Sequence, residues 1–546
     1  MSPYPYTASA VEFDVIIVGA GINGAAIGRD AAMRGLRVLM VDKADIASGT
    51  TSWSTRLIHG GLRYLEHFEV PLVRESLHER NVLLRTAPHL VRPLHFLLPV
   101  YAEGSHRQGI IRLGMLAYEV LSAGDRSTGH HQMLSPEETL RLAPGLDPEG
   151  LRGGALYYDA QAVYPERLCI ENALSAREHG ALVLTYHRVE GFEVSGDRVT
   201  AVRLHDIRSG TTATAAAAVV LNAAGPWADS VLTGLPGDRP RLIGGTKGSH
   251  LIVRPFPGAP RAAVYTEAVD NRPYFIVPWA SNYLIGTTDE RFDGSPDSVV
   301  ASPAEIDYLI ESTNQVLPAA GLTRDDVLWT YSGVRPLPYE PGVPEAKVTR
   351  KHVFHRDEHL RNLISVVGGK LTTHRSLAEQ AVDLVFATLG RSAPQCRTAD
   401  EALPGGRAGN WARFADGFRS WCGLPSDIAD HLLDVYGVRA SEVLDFAADD
   451  PQLRARIPDS AAIAAEVPFA VRAEMALTLA DVFLRRTMLG VRGDLGLPAL
   501  DSAADQARAS LGWEPRHAAA DAEDYRQSAA RQHPGRAAAI AGQQPR

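Results

Sequence analysis

The chain has 546 residues, 45% hydrophobic and 22% charged, enough for two to four compact units and inconsistent with wholesale disorder, a fibrous repeat or a heptad array. Its formal net charge of −9 argues against nucleic acid as the main partner, since neutralising phosphates takes a basic face, but leaves room for a local basic pocket that holds a small anion. Cys169, Cys396 and Cys422 stand far apart without a CxxC pair, so neither a disulfide scaffold nor a metal site is expected.

The opening MSPYPYTASAVEFD has neither the basic nor the apolar stretch of a secretory signal, and no run reaches the roughly 18 apolar residues of a spanning helix. The expectation is a cytoplasmic protein, at most held at the cytoplasmic face of a membrane. FDVIIVGAGINGAAIGRDAAMRGLRVLMVDKAD then predicts a buried parallel strand over 15–18, a helix over 22–34 and a second strand over 36–41 that ends at Asp42. A polar loop spans 50–61, and a helix runs from 62 towards 90. Short apolar strands at 181–185, 199–204 and 218–222 suggest a sheet-rich substrate region inserted into a nucleotide-binding fold; that fold is expected over 13–390, with the interleaved substrate part mainly at 90–160 and 240–345. A helix is expected over 374–389 and an α-helical C-terminal domain over 393–515. The Ala-, Arg- and Gln-rich 516–546 is expected to be a tail without order.

Gly19, Gly21 and Gly24 form G-x-G-x-x-G between strand and helix. The first allows the tight turn, the second lets a diphosphate approach the backbone, and the third lets helix and strand pack closely. Amides at the helix start then hold the diphosphate, and Asp42 is placed to accept both hydroxyls of an adenosine ribose. Three segments favour FAD over NAD: Ser48, Thr50, Thr51 and Ser52 beside the diphosphate, the turn at Gly225, and Gly369, Lys370, Leu371 and Thr372 at a helix start suited to negative charge on a reduced flavin.

TSWSTRLIHGGLRYLEH at 51–67, KGSH at 247–250, NRPYFIVPW at 271–279, IGTTD at 285–289, WTYSGVRPL at 329–337 and GGKLTTHRSLAE at 368–379 resemble, in order, the blocks of the FAD-dependent glycerol-3-phosphate dehydrogenase family. The match covers roughly 13–490. The resemblance implies a D-amino-acid-oxidase-like α/β fold (Rossmann-type) with a helical C-terminal domain and non-covalent FAD. It also implies oxidation of sn-glycerol 3-phosphate to dihydroxyacetone phosphate, with electrons passed to a membrane quinone. Asp42 stands where many members carry Glu, and His374 replaces their Tyr.

Such a reaction needs a grip on a phosphate dianion and an acceptor for the hydroxyl proton. Arginine suits the first because its planar fork makes two contacts. Arg335 and Arg63, beside Tyr64, are the candidates, with Arg272 a third. His59 and His250 are both candidate bases. Lys370 is a candidate cation beside the flavin or a developing alkoxide. His59 also precedes Gly60 and Gly61, whose missing side chains would let a flavin ring come close. The segment 105–123 reads either as an interfacial membrane helix or as a core-facing one, and a homodimer is left open. The alternatives are an oxygen-using glycerophosphate oxidase, another oxidase of this fold, or a non-catalytic nucleotide-fold scaffold.

Overall fold

The computed structural model describes residues 12–61, 69–102, 114–116, 118, 121, 130–344 and 348–534. Arg63, Tyr64 and most of the 105–123 segment lie outside these residues.

The first strand, Glu12–Val18, pairs in parallel with Val38–Val41 on one side and Thr212–Asn222 on the other. Leu182–Leu184 and Leu363–Val367 extend this parallel sheet, the second buried along its whole length. The strands expected at 181–185, 199–204 and 218–222 therefore belong to the nucleotide sheet and not to an inserted substrate region. Successive strand residues face opposite sides. Val15 and Ile17 join a core under the helices Ile22–Met33, Pro165–Glu178 and His374–Leu389. Ile16 and Val18 face a second core with Val202, Leu232 and Leu363. Both faces are covered, so the strands read as continuous apolar runs. A second sheet of ten strands among the described residues is largely antiparallel; in it Thr246–Val253 lies between Asn282–Gly286 and Val327–Arg335. The helix Pro303–Val316 backs it.

From residue 393 to 534 the chain is helical, including Trp411–Trp421, Ser426–Tyr436 and Leu500–Leu511. The expected tail is corrected in part. Pro515–Arg531 is a helix whose Ala518, Ala522, Tyr525 and Ala529 are buried at four-, three- and four-residue spacing, a narrow seam of small residues. Tyr525 meets the ring of Phe483 at 5.0 Å and donates to Leu495 O at 2.7 Å.

Buried ion pairs join this helical part to the nucleotide fold. Asp45, in the loop after the Val38–Val41 strand, takes Arg485 Nε at 2.5 Å and Arg486 Nη2 at 3.0 Å. Arg167 and Arg439 hold Glu474, and although burial alone would raise that carboxyl, the two guanidinium groups keep it at about 2. Asp45→Ala leaves two buried guanidinium groups short of a counter-charge, so a loss of about 3–5 kcal/mol is expected, read as a lower urea midpoint.

Candidate active site

A cavity of about 1010 Å³ opens along the carboxyl ends of the parallel strands. Gly19, at φ +106°, has no room for a side chain, because a Cβ would come within 2.6 Å of Ala223 O. At Gly24 it would lie 1.9 Å from Gly19 O, the close packing the motif requires. Gly21 differs: a Cβ there would meet only Thr51 Oγ1, at 3.5 Å. No protein atom fills that space, which faces the cavity beside the start of the Ile22–Met33 helix.

Asp42 Oδ2 accepts from Ala20 N at 2.7 Å and Oδ1 from Ala44 N at 2.9 Å. Burial pushes its carboxyl up to about 6 despite these bonds. His187, Arg188 and Trp227 line the same end, with Lys43 Nζ 4.5 Å above the Trp227 ring. Three polar atoms on the cavity wall, Asn23 Oδ1, Trp227 Nε1 and Gln532 Oε1, are buried without a hydrogen-bond partner. An elongated ligand with both donors and acceptors, running from Asp42 past Gly21 towards Gly369, fits this wall, and a flavin dinucleotide has that chemistry.

The loop residues divide. Ser48, Thr50 and Thr51 line the cavity. Thr50 Oγ1 donates to Val334 O at 2.7 Å, and Thr51 Oγ1 accepts from Ile22 N at 3.0 Å, fixing the loop against the helix start. Ser52 turns inward and donates to Ala47 O at 2.7 Å, so it holds the loop's own shape. Gly225, Gly369, Lys370 and Leu371 line the wall. Thr372 lies behind it, accepting from His59 N at 3.2 Å. His374 Nδ1 sits 2.7 Å from Leu371 O, and burial pushes its ring down to about 4.

Gly60 has another reason to be glycine than the approach of a flavin ring: a Cβ would strike Tyr118 Oη at 2.3 Å and Leu77 Cδ2 at 2.6 Å. Its amide donates to Tyr118 Oη and to Asp159 Oδ1, which Arg80 also holds at 2.8 Å. Gly61 keeps a positive φ of +79°. The His59 ring lies edge-on to Phe275 at 6.1 Å.

The KGSH block alternates between two faces of its strand. Lys247 pairs with Glu305 at 2.7 Å and Ser249 Oγ donates to the same carboxylate, so these two are structural. Gly248 and His250 face the other way, towards Arg335 and Tyr331. A Cβ on Gly248 would lie 2.2 Å from Arg335 Nη2, so this glycine makes room for the guanidinium. His250 stacks on Tyr331 at 4.6 Å with Nε2 2.9 Å from Thr55 Oγ1 and Nδ1 unpartnered. Burial, helped by Arg335 and Arg56, holds its ring well below the usual range, so it is neutral at pH 7.

Asp289 Oδ1 accepts from Arg335 at 3.0 Å and Oδ2 from Arg350 at 3.2 Å, while Arg272 Nη1 donates to Asp289 O at 3.0 Å. Arg272, more than half exposed and paired with Asp270, stands at the rim of this cluster. Arg350 carries no motif that marks it in the sequence, yet its Nη1 is buried without a partner. Among the described residues two guanidinium groups share this one carboxylate, an arrangement suited to a doubly charged anion.

Lys370 Nζ donates to Ser76 Oγ at 2.9 Å, and burial pulls its ammonium down to about 8. The unfolded chain keeps this proton up to about 10.5 and the folded protein only to about 8, so stability rises with pH across that window and the penalty is present in full below it. Lys370→Met is therefore expected to raise unfolding stability at pH 7 by about 1–3 kcal/mol, a gain that fades above pH ~10 in urea titrations, while turnover is lost.

The profile of the FAD dependent oxidoreductase family matches residues 14–383, and that of the C-terminal domain of alpha-glycerophosphate oxidase matches 396–518. A glycerol-3-phosphate dehydrogenase from Synechocystis is 49% identical over 92% of this chain and 93% of its own. An aerobic glycerol-3-phosphate dehydrogenase from Staphylococcus aureus is 33% identical over 87% of this chain and 86% of its own. The solved glycerol-3-phosphate dehydrogenase from Bacillus halodurans, complexed with FAD, superposes with a TM-score of 0.80 at 28% identity, covering 96% of each chain. These matches run along nearly the whole length of this chain and of its relatives, and the chain belongs to the FAD-dependent glycerol-3-phosphate dehydrogenase family.

Proposed function

We propose that the protein oxidises sn-glycerol 3-phosphate to dihydroxyacetone phosphate, and the observation that carries this reading is the Arg335–Arg350 pair gathered on Asp289 beside the flavin cavity. Bound in that cavity, FAD supplies a two-electron acceptor for the hydrogen on C2. The chain's own part is to hold the phosphate with Arg335 and Arg350, leaving the middle carbon free to face the cavity. The hydroxyl proton needs an acceptor. Lys370, on the cavity wall with a value of about 8, is partly neutral near pH 7, and His250 is neutral there with Nδ1 unpartnered. His59 is the third candidate, its backbone fixed by Thr372.

Anaerobic addition of sn-glycerol 3-phosphate to the yellow protein is expected to bleach the flavin band. A band left unchanged by this substrate but bleached by glycerol or a D-amino acid overturns the reading. The proposed electron acceptor is a quinone. No helix among the described residues is long and apolar enough to cross a membrane, so the quinone would be met at a membrane face, on the cytoplasmic side in this reading. Oxygen consumption matching substrate turnover would point instead to the oxidase chemistry named in the C-terminal family profile.

A further inference from the structure

The last turn of the C-terminal helix reaches the cofactor cavity. Ser528, Arg531 and Gln532 line it although they lie more than 480 residues from the Gly21 turn in sequence. The family profile for the C-terminal domain ends at residue 518, ahead of this turn. The turn is docked by main-chain bonding. Gln532 O accepts from Thr330 N at 2.8 Å and from Thr330 Oγ1 at 3.3 Å. Thr330 belongs to Val327–Arg335, which among the described residues pairs with Thr246–Val253 on one side only, so its outward amide is available for such a bond.

From Thr330 the contacts run straight into the cofactor loop. Tyr331 Oη donates to Ser54 O at 2.8 Å, the Tyr331 ring lies 5.6 Å from Trp53, and Gly333 is held free of a side chain by Trp53, whose O atom a Cβ would meet at 2.9 Å. Thr50 of the same loop bonds Val334. Gln532 Oε1 is buried without a partner, and Arg531 is exposed at the cavity with no hydrogen bond or ion pair among the described residues. An unused acceptor and an unpaired cation at the wall of a cavity suited to a polyanionic dinucleotide are groups held in reserve for that ligand.

We infer that this turn is a clasp for the cofactor: docked on Thr330, it closes part of the cavity wall and slows release of FAD, with Arg531 as its cationic element. Such a clasp acts on flavin retention, whichever substrate is oxidised. Two variants of the flavin-loaded full chain test it, Arg531→Glu and a chain ended after Gln527, which keeps the Tyr525 anchor and the bond from Leu479 N to Asp521 at 2.7 Å. FAD release is followed as free-flavin fluorescence after dilution. A release about tenfold faster is expected for each, the equivalent of one lost charge-assisted contact, with the melting temperature of the flavin-free protein unchanged in Arg531→Glu. Parental release rates in both variants overturn the clasp, as does release that quickens only in step with a lowered flavin-free melting temperature. If the shortened chain does not fold, the double variant Arg531→Glu with Gln532→Ala takes its place, and parental release from it overturns the clasp equally.

Discussion

Arg335→Ala is expected to lower kcat/KM for sn-glycerol 3-phosphate by roughly a thousandfold while the protein stays yellow. Truncating one partner of an intimate charged contact costs about 4 kcal/mol, and each 1.4 kcal/mol is a factor of ten. Flavin should remain because the Arg335 side chain points over Gly248 towards Thr287 and Asp289, whereas its neighbours Val334 and Pro336 line the dinucleotide cavity. The fold should remain too, since Asp289 keeps Arg350 and the main-chain contact from Arg272. Arg335→Lys would retain the charge without the two-pronged fork, and partial recovery is expected. Near-parental activity in the alanine variant would remove this residue from the phosphate role.

The second large effect contrasts two glycines three residues apart. Gly21→Val should yield a folded, colourless protein. Its backbone, at φ −70° and ψ 178°, suits any residue, and the first side-chain carbon touches only Thr51 Oγ1. The branched side chain fills the space left for the diphosphate. Gly24→Ala should instead cost about 3 kcal/mol or more, because the methyl would sit 1.9 Å from Gly19 O and helix and strand must part. Visible absorbance and far-UV circular dichroism separate the two results. A yellow Gly21→Val protein with full FAD would contradict the cradle.

The dinucleotide cradle is legible in the sequence because its parts are local: a strand, a turn, a helix and Asp42 occupy some thirty consecutive residues. The arginine cluster is legible only in part. Arg335 sits in a motif, but Arg350 gains its meaning from Asp289, 61 residues away in sequence. Gly60 reads as space for a ring because the Tyr118 hydroxyl that occupies that space lies 58 residues further on. Within KGSH, strand alternation sends Lys247 and Ser249 to Glu305 and His250 to the opposite face, a division that needs the sheet to be known. The last helix is hidden by its own composition: its seam is mostly alanine, which buries without looking hydrophobic, and only Tyr525 gives it weight. These are long-range facts, and hydrophobic periodicity reports short-range ones.

The sheet that carries the cavity draws its rails from Glu12–Val18, Thr212–Asn222 and Leu363–Val367. During translation the first of these leaves the ribosome some two hundred residues before its Thr212–Asn222 neighbour exists and some three hundred and fifty before Leu363–Val367. A nascent chain therefore has nowhere to lodge a vitamin-derived prosthetic group until synthesis is well past the middle, and such distant pairing is intrinsically slow. Supply of riboflavin should accordingly govern the fate of finished polypeptides, with those that meet no flavin left to proteases, and products terminated before the Leu363–Val367 strand should never turn yellow.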